Sequence, residues 1–79
     1  MEEQGDFEQV HGFNIKLHDR DSKTLQGVIH DWKHNMGEKD LNRLLRNARH
    51  AGSDGFHMED HGIITTHHSD GSYTIRKKS

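Results

Sequence analysis

Residues 38–52, EKDLNRLLRNARHAG, restrict the possible folds more than any other stretch. At about 100° per residue, Leu41, Leu44, Leu45 and Ala48 fall on one stripe, which must be buried against a second element. Glu38 and Asp40 stand in the first turn and Arg46, Arg49 and His50 in the last, so both helix ends complement the dipole. Gly52 supplies a left-handed closing position. The remaining face is basic. Lys39, Arg43, Arg46 and His50 line it, with Asn42, Asn47 and Arg49 on its flanks, a set that suits phosphates, base edges or an acidic protein surface. An ordinary solvated helix face has the same composition, so the neighbouring elements must decide what this one does.

The neighbours supply both helical and strand-like partners. Upstream, Phe13, Ile15 and Leu17 alternate with Asn14, Lys16 and His18, the period of a half-buried strand. A polar break follows, in which Asp21 or Ser22 can cap a helix over Lys23–Asn35. Leu25, Val28, Ile29, Trp32 and then Met36 share one stripe of that helix, with Trp32 as its largest anchor. Asn35, Met36 and Gly37 are too few to let the two helices part. A hairpin after such a pair would be winged-helix-like, with residues 38–52 as the reading helix. Aligning Gly37 with the turn glycine of that motif, however, puts Lys33, Asp40 and Arg43 where small or apolar residues belong, and no such family is assigned.

Downstream, Phe56 and Met58 alternate with His57 and Glu59 as a short strand would. GIITTHH and YTIRKK then flank Ser69-Asp70-Gly71-Ser72, a β-hairpin pattern. A two-residue type I′ turn at Asp70-Gly71 predicts His68 opposite Tyr73, Thr66 opposite Ile75 and Ile64 opposite Lys77. That register places Ile64 in the core and Ile63, Thr65, His67, Thr74, Arg76 and Lys78 on the outer face. The expected fold is therefore α+β, in the order β-α-α-β-β, with two helices on one face of a small antiparallel sheet that ends in a hairpin. Residues 1–9 read as a disordered acidic tail and residues 10–79 as one domain. The expected core is Phe13, Ile15, Leu17, Leu25, Val28, Ile29, Trp32, Leu41, Leu44, Leu45, Ala48, Phe56, Ile64, Tyr73 and Ile75.

The succession of helix, glycine, strand, strand and His-x-Asp-Gly turn, carried by His68, Asp70, Gly71 and the alternating Tyr73-Thr74-Ile75, resembles the hairpin region of HicA-type mRNA interferase toxins. The resemblance covers residues 41–76 and implies a double-stranded-RNA-binding-like fold. The glycine-serine-histidine catalytic motif of that family is absent, its final helix has no counterpart, and a strand and a helix precede the shared part. No catalytic role for His61 or His67 is carried over.

Composition narrows the chemistry. Only 28% of the residues are hydrophobic, and the mean hydropathy is -1.13, so the core must be small and a metal or a partner would help it. There is no cysteine, hence no disulfide. His30 and His34, and again His57 and His61, have the i, i+4 spacing that can present two imidazoles to one metal. In His30-Asp31-Trp32-Lys33-His34 the residue after the first histidine is not the glutamate a zincin requires, and we expect no metal and no cofactor. Serines 22, 53, 69, 72 and 79 sit at turns, caps or the end of the chain, where they serve local hydrogen bonds. His67 or His68 beside Asp70 is the only local general acid-base candidate.

These features point to a non-enzymatic binding module. The first expectation is a nucleic-acid-binding regulator that uses Lys39, Asn42, Arg43, Arg46, Asn47, Arg49 and His50, with Arg76, Lys77 and Lys78 on the hairpin as a second phosphate contact. The alternative is a small inhibitor or adaptor of bacterial or phage type, docking its basic helix or a sheet edge on an acidic protein partner; a sheet edge would also serve a homodimer. No apolar run approaches the roughly 18 residues of a membrane span. The start MEEQGDFE and the absence of cysteine lead us to expect a cytoplasmic setting. Protonating all nine histidines would add nine positive charges to a formal net charge of -2, so any electrostatic binding should depend on pH.

Overall fold

A computed structural model describes residues 7–59 and 61–78. Five strands and two helices follow in the order β1 (Phe7–Val10), β2 (Phe13–Leu17), α1 (Lys23–Asn35), α2 (Glu38–Ala51), β3 (Phe56–Met58), β4 (Ile63–His67) and β5 (Tyr73–Lys77). The α+β class holds. The strands form one sheet in the order β1-β2-β5-β4-β3.

Local chemistry directs the start of α1 and the end of α2. Ser22 Oγ accepts the Leu25 N–H at 3.3 Å and caps α1. Gly52 closes α2 with a φ of 74°. Leu25, Val28, Ile29 and Trp32 of α1 and Leu41, Leu45 and Ala48 of α2 are buried in one cluster. Leu44, Phe56 and Phe13 pack against it and remain partly exposed.

The strands present the matching face. Val10, Ile15, Leu17, Met58, Ile63, Tyr73 and Ile75 join the same cluster, whereas Gln9, Asn14, Lys16, His57 and Arg76, of the opposite parity, are exposed. The helices therefore cover one side of the sheet and leave the other largely polar.

Three expectations need correction. The sheet is mixed rather than antiparallel, because β2 runs parallel to β5, with Ile15 beside Tyr73 and Leu17 beside Ile75. Two central strands that flank a helical pair can pair only after the chain has returned, and no local pattern records the direction of that return. A further strand precedes the expected order. β1 takes up Phe7, Glu8 and Gln9, which the sequence pattern assigns to the acidic tail; the rest of that tail lies outside the described residues. The β1–β2 turn is His11-Gly12, both at positive φ (53° and 89°), the combination a type I′ hairpin demands. Val10 is completely buried, so one buried side chain and a tight turn hold a strand whose other residues are exposed or partly exposed.

The third correction is the register of the last hairpin. Ile63 faces Lys77, Thr65 faces Ile75 and His67 faces Tyr73, one residue away from the expected pairing. The loop has three residues rather than two: the His68 N–H donates to Ser72 O at 2.8 Å and the Gly71 N–H to His68 O at 3.0 Å. Asp70 Oδ1 accepts from the Ser72 N–H (2.9 Å) and the Ser72 hydroxyl (2.6 Å), and Gly71 takes the positive φ of 92°. A one-residue slip exchanges the faces. Ile63 and Thr65 are consequently fully buried under the helices, and His67 shares their face, while Ile64 lies on the other side.

Candidate nucleic-acid interface

The basic face of α2 follows from its period. Its buried stripe turns Lys39, Asn42, Arg43, Arg46, Asn47, Arg49 and His50 away from the core, and all seven are exposed. The acids of the helix, Glu38 and Asp40, are confined to its first turn. Among the described residues the ion pairs are Lys33–Glu8 at 3.4 Å, His61–Asp31 at 3.9 Å and Lys78–Glu59 at 2.7 Å. None of them neutralises the α2 cations. A helix of this length extends roughly 20 Å, so the face is long enough to meet several phosphates.

Arg49 differs from the other cations because tertiary structure holds it. One terminal nitrogen donates to the Tyr73 hydroxyl at 2.8 Å and the other to Asn42 Oδ1 at 3.2 Å. Tyr73 is 2% exposed and opens β5, between two other rings on the same side of the sheet. Phe13 of β2 meets it edge-on with centroids 6.1 Å apart. His67 of β4 lies 5.0 Å from it on the other side. Phe13 and His67 are each half-buried. A row of three rings across β2, β5 and β4 thus borders the basic face, and Arg49 and Asn42 join the two.

No protein family, curated protein or solved structure matches the chain.

Arg76, Lys77 and Lys78 do not extend the α2 surface. Arg76 shares the outer-face parity of Ile64, its partner across the ladder. Lys77 lies four residues along β5 from Tyr73, about 13 Å. Lys78 donates to Glu59 Oε2 at 2.7 Å, and this ammonium holds the Glu59 carboxyl below the usual carboxylate range.

The expected acid-base group is also separated. His68 Nε2 lies 2.6 Å from Thr74 Oγ1, whereas His67 faces Tyr73 on the opposite side of the strand. Asp70 bonds Ser72 rather than either imidazole, and these bonds hold its carboxyl below the ordinary range.

The histidine pairs divide in the same way. His30 and His34 tilt against each other with centroids 4.3 Å apart. His61 Nε2 stands 3.9 Å from Asp31 Oδ2, at the rim of a groove of about 400 Å³ floored by Trp32, Leu44, Phe56 and Met58. His57 borders that groove too. Among the described residues no three histidines or acids gather in a metal-binding group.

The sequence pattern marks Phe13 and Tyr73 only as core residues and carries no sign of their place beside the basic face. Each opens its strand shortly after a glycine turn. Only the parallel pairing of β2 with β5 makes them neighbours.

Proposed function

We propose that this chain is a small nucleic-acid-binding module of a regulatory kind, which meets the phosphate backbone with the exposed face of α2. The observation that carries the reading is the set Lys39, Arg43, Arg46 and His50, exposed along one helix face and without an acidic partner among the described residues. A cation left unpaired over several turns can release counterions from a polyanion when it binds, and binding of that kind is steeply salt-dependent. Asn42 and Asn47 flank the cations and suit base edges.

The test is binding of the purified chain to single- and double-stranded DNA and RNA pools across a salt series, with Arg43→Glu/Arg46→Glu as control. If both arginines meet phosphates, the control should weaken binding and flatten the plot of log K against log[salt] by roughly 1.4 to 1.8. Equal binding by parent and control would refute the reading.

A second reading is favoured by one observation. Phe7, 37% exposed, lies on β1 at the edge of the sheet, where a partner strand from an acidic protein or a second copy of the chain could add. A chain that uses this edge alone would be indifferent to every oligonucleotide in the salt series.

A further inference from the structure

We infer that the nucleic acid is single-stranded, and that Phe13 and His67 form a shelf for its unpaired bases on either side of Tyr73. The inference rests on the nucleic-acid reading above and names the form of the ligand.

The bases of a duplex are stacked on one another and their faces are closed to protein rings. Unpaired bases expose a π-face, and proteins that take single strands meet it with aromatic side chains beside a cationic track. Both parts are present here and are joined. The shelf spans three adjacent strands, so Phe13 and His67 are about two strand spacings apart, on the order of 9.5 Å. Each is half-buried: both pack against Tyr73, Phe13 also against the core cluster, and each keeps part of its surface open to solvent. The central ring is fully seated, at 2% exposure, and Arg49 fixes its hydroxyl.

That arrangement gives the shelf its rigidity. Tyr73 cannot leave its χ1 rotamer without breaking the 2.8 Å bond to Arg49, and Asn42 holds the second terminal nitrogen of the same guanidinium. The flanking rings are therefore set before a ligand arrives, so little side-chain entropy is lost when bases stack on them. Arg43 and Arg46 lie further round α2 from Arg49. A strand whose phosphates follow these cations has its bases within reach of the shelf, whereas a duplex laid on the same cations does not.

The experiment compares the full chain with Phe13→Leu and His67→Gln, using fluorescent dT12 and U12, each alone and annealed to its complement, at one fixed salt concentration. Leucine keeps Phe13 apolar, and His67→Gln changes a half-exposed position; melts confirm that both variants fold. The expected result is tighter binding of the single strands than of the duplexes, with each variant weakening single-strand binding about tenfold and leaving duplex binding unchanged. Adding dU12 separates the sugar from the thymine methyl, which differ together between dT12 and U12. For the unaltered chain, adding U12 or dT12 should shift the ring-proton resonances of Phe13 and His67, a readout that needs no variant.

The inference is overturned if parent and variants bind the single strands equally, or if the ring resonances stay in place while Arg43→Glu/Arg46→Glu abolishes binding. The basic-face reading survives either result. If no oligonucleotide binds even at low salt, both fall.

Discussion

Gly55 is the position at which one added methyl group tests the fold most severely. It leads from the 3-10 turn at Gly52–Asp54 into β3 with φ 84° and ψ 165°, a region that is essentially closed to residues with a Cβ and costs about 1 to 3 kcal/mol to occupy. A Cβ built there would stand 2.7 Å from Ile64 Cγ2, 3.0 Å from Thr66 Oγ1 and 3.2 Å from Thr65 O. Those atoms belong to a paired central strand and cannot all give way, so overpacking adds about 1 to 3 kcal/mol. Gly55→Ala should thus lose about 2 to 6 kcal/mol. A chain of 79 residues has a total of roughly 4 to 12 kcal/mol, and at about 4 to 8 °C per kcal/mol the midpoint should fall by at least about 8 °C.

Gly27→Ala is the internal control. It lies inside α1 with nothing within 4 Å of a built Cβ, and should gain about 0.5 to 1 kcal/mol from helix propensity. Thermal and urea melts followed by far-UV circular dichroism measure both. A Gly55→Ala protein that melts within about 2 °C of the parent would refute the packing of the Gly55 backbone against β4, and with it the β3–β4 register that sets Phe56 opposite Thr65.

Two further outcomes are expected. Trp32→Ala removes a completely buried side chain and should cost about 3 to 5 kcal/mol in a urea melt, close to the whole stability of a small domain; a parent-like midpoint would contradict the core. Asp70 has its pKa depressed in the folded hairpin by two bonds from Ser72, so its stabilisation is present above the ordinary aspartate pKa of about 3.9 and is lost as pH falls through the lower folded value. Asp70→Asn should therefore be less stable than the parent at neutral pH, with the difference closing in acid. A constant difference across that range would show that the carboxylate charge has no part in the turn.

Local pattern and long-range pairing contributed differently to this fold. The span of α1, its Ser22 cap, the start of α2 and the limits of β2 could all be read directly, because each rests on periodicity or on a capping residue within a few positions. So could the exposure of all seven α2 candidates, since a helix that buries Leu41, Leu45 and Ala48 has to turn its other residues outward. β1 could not be read that way. Its only buried residue is Val10, and histidine in a type I′ turn is a weaker signal than asparagine or aspartate.

Asp70-Gly71 misled for a related reason. The dipeptide suits a two-residue turn, but in the folded hairpin the Ser72 N–H and hydroxyl bond the Asp70 carboxylate within a three-residue loop, and the extra residue puts Ile63 in the cluster under the helices while Ile64 is buried on the opposite face. Both loops satisfy the same local preferences, so the choice between them depends on which face the helices cover.

The amino-acid sequence by itself determined the α+β class, the two helices and the charge of the outer α2 face, because these depend on spacings inside single elements. Tertiary structure alone decided that β2 lies parallel to β5, that His67 shares a face with Tyr73, and that Arg49 reaches the Tyr73 hydroxyl 24 positions away. Each of these depends on strand order and register, which are set by the joint burial of all the apolar faces and are encoded in no single segment.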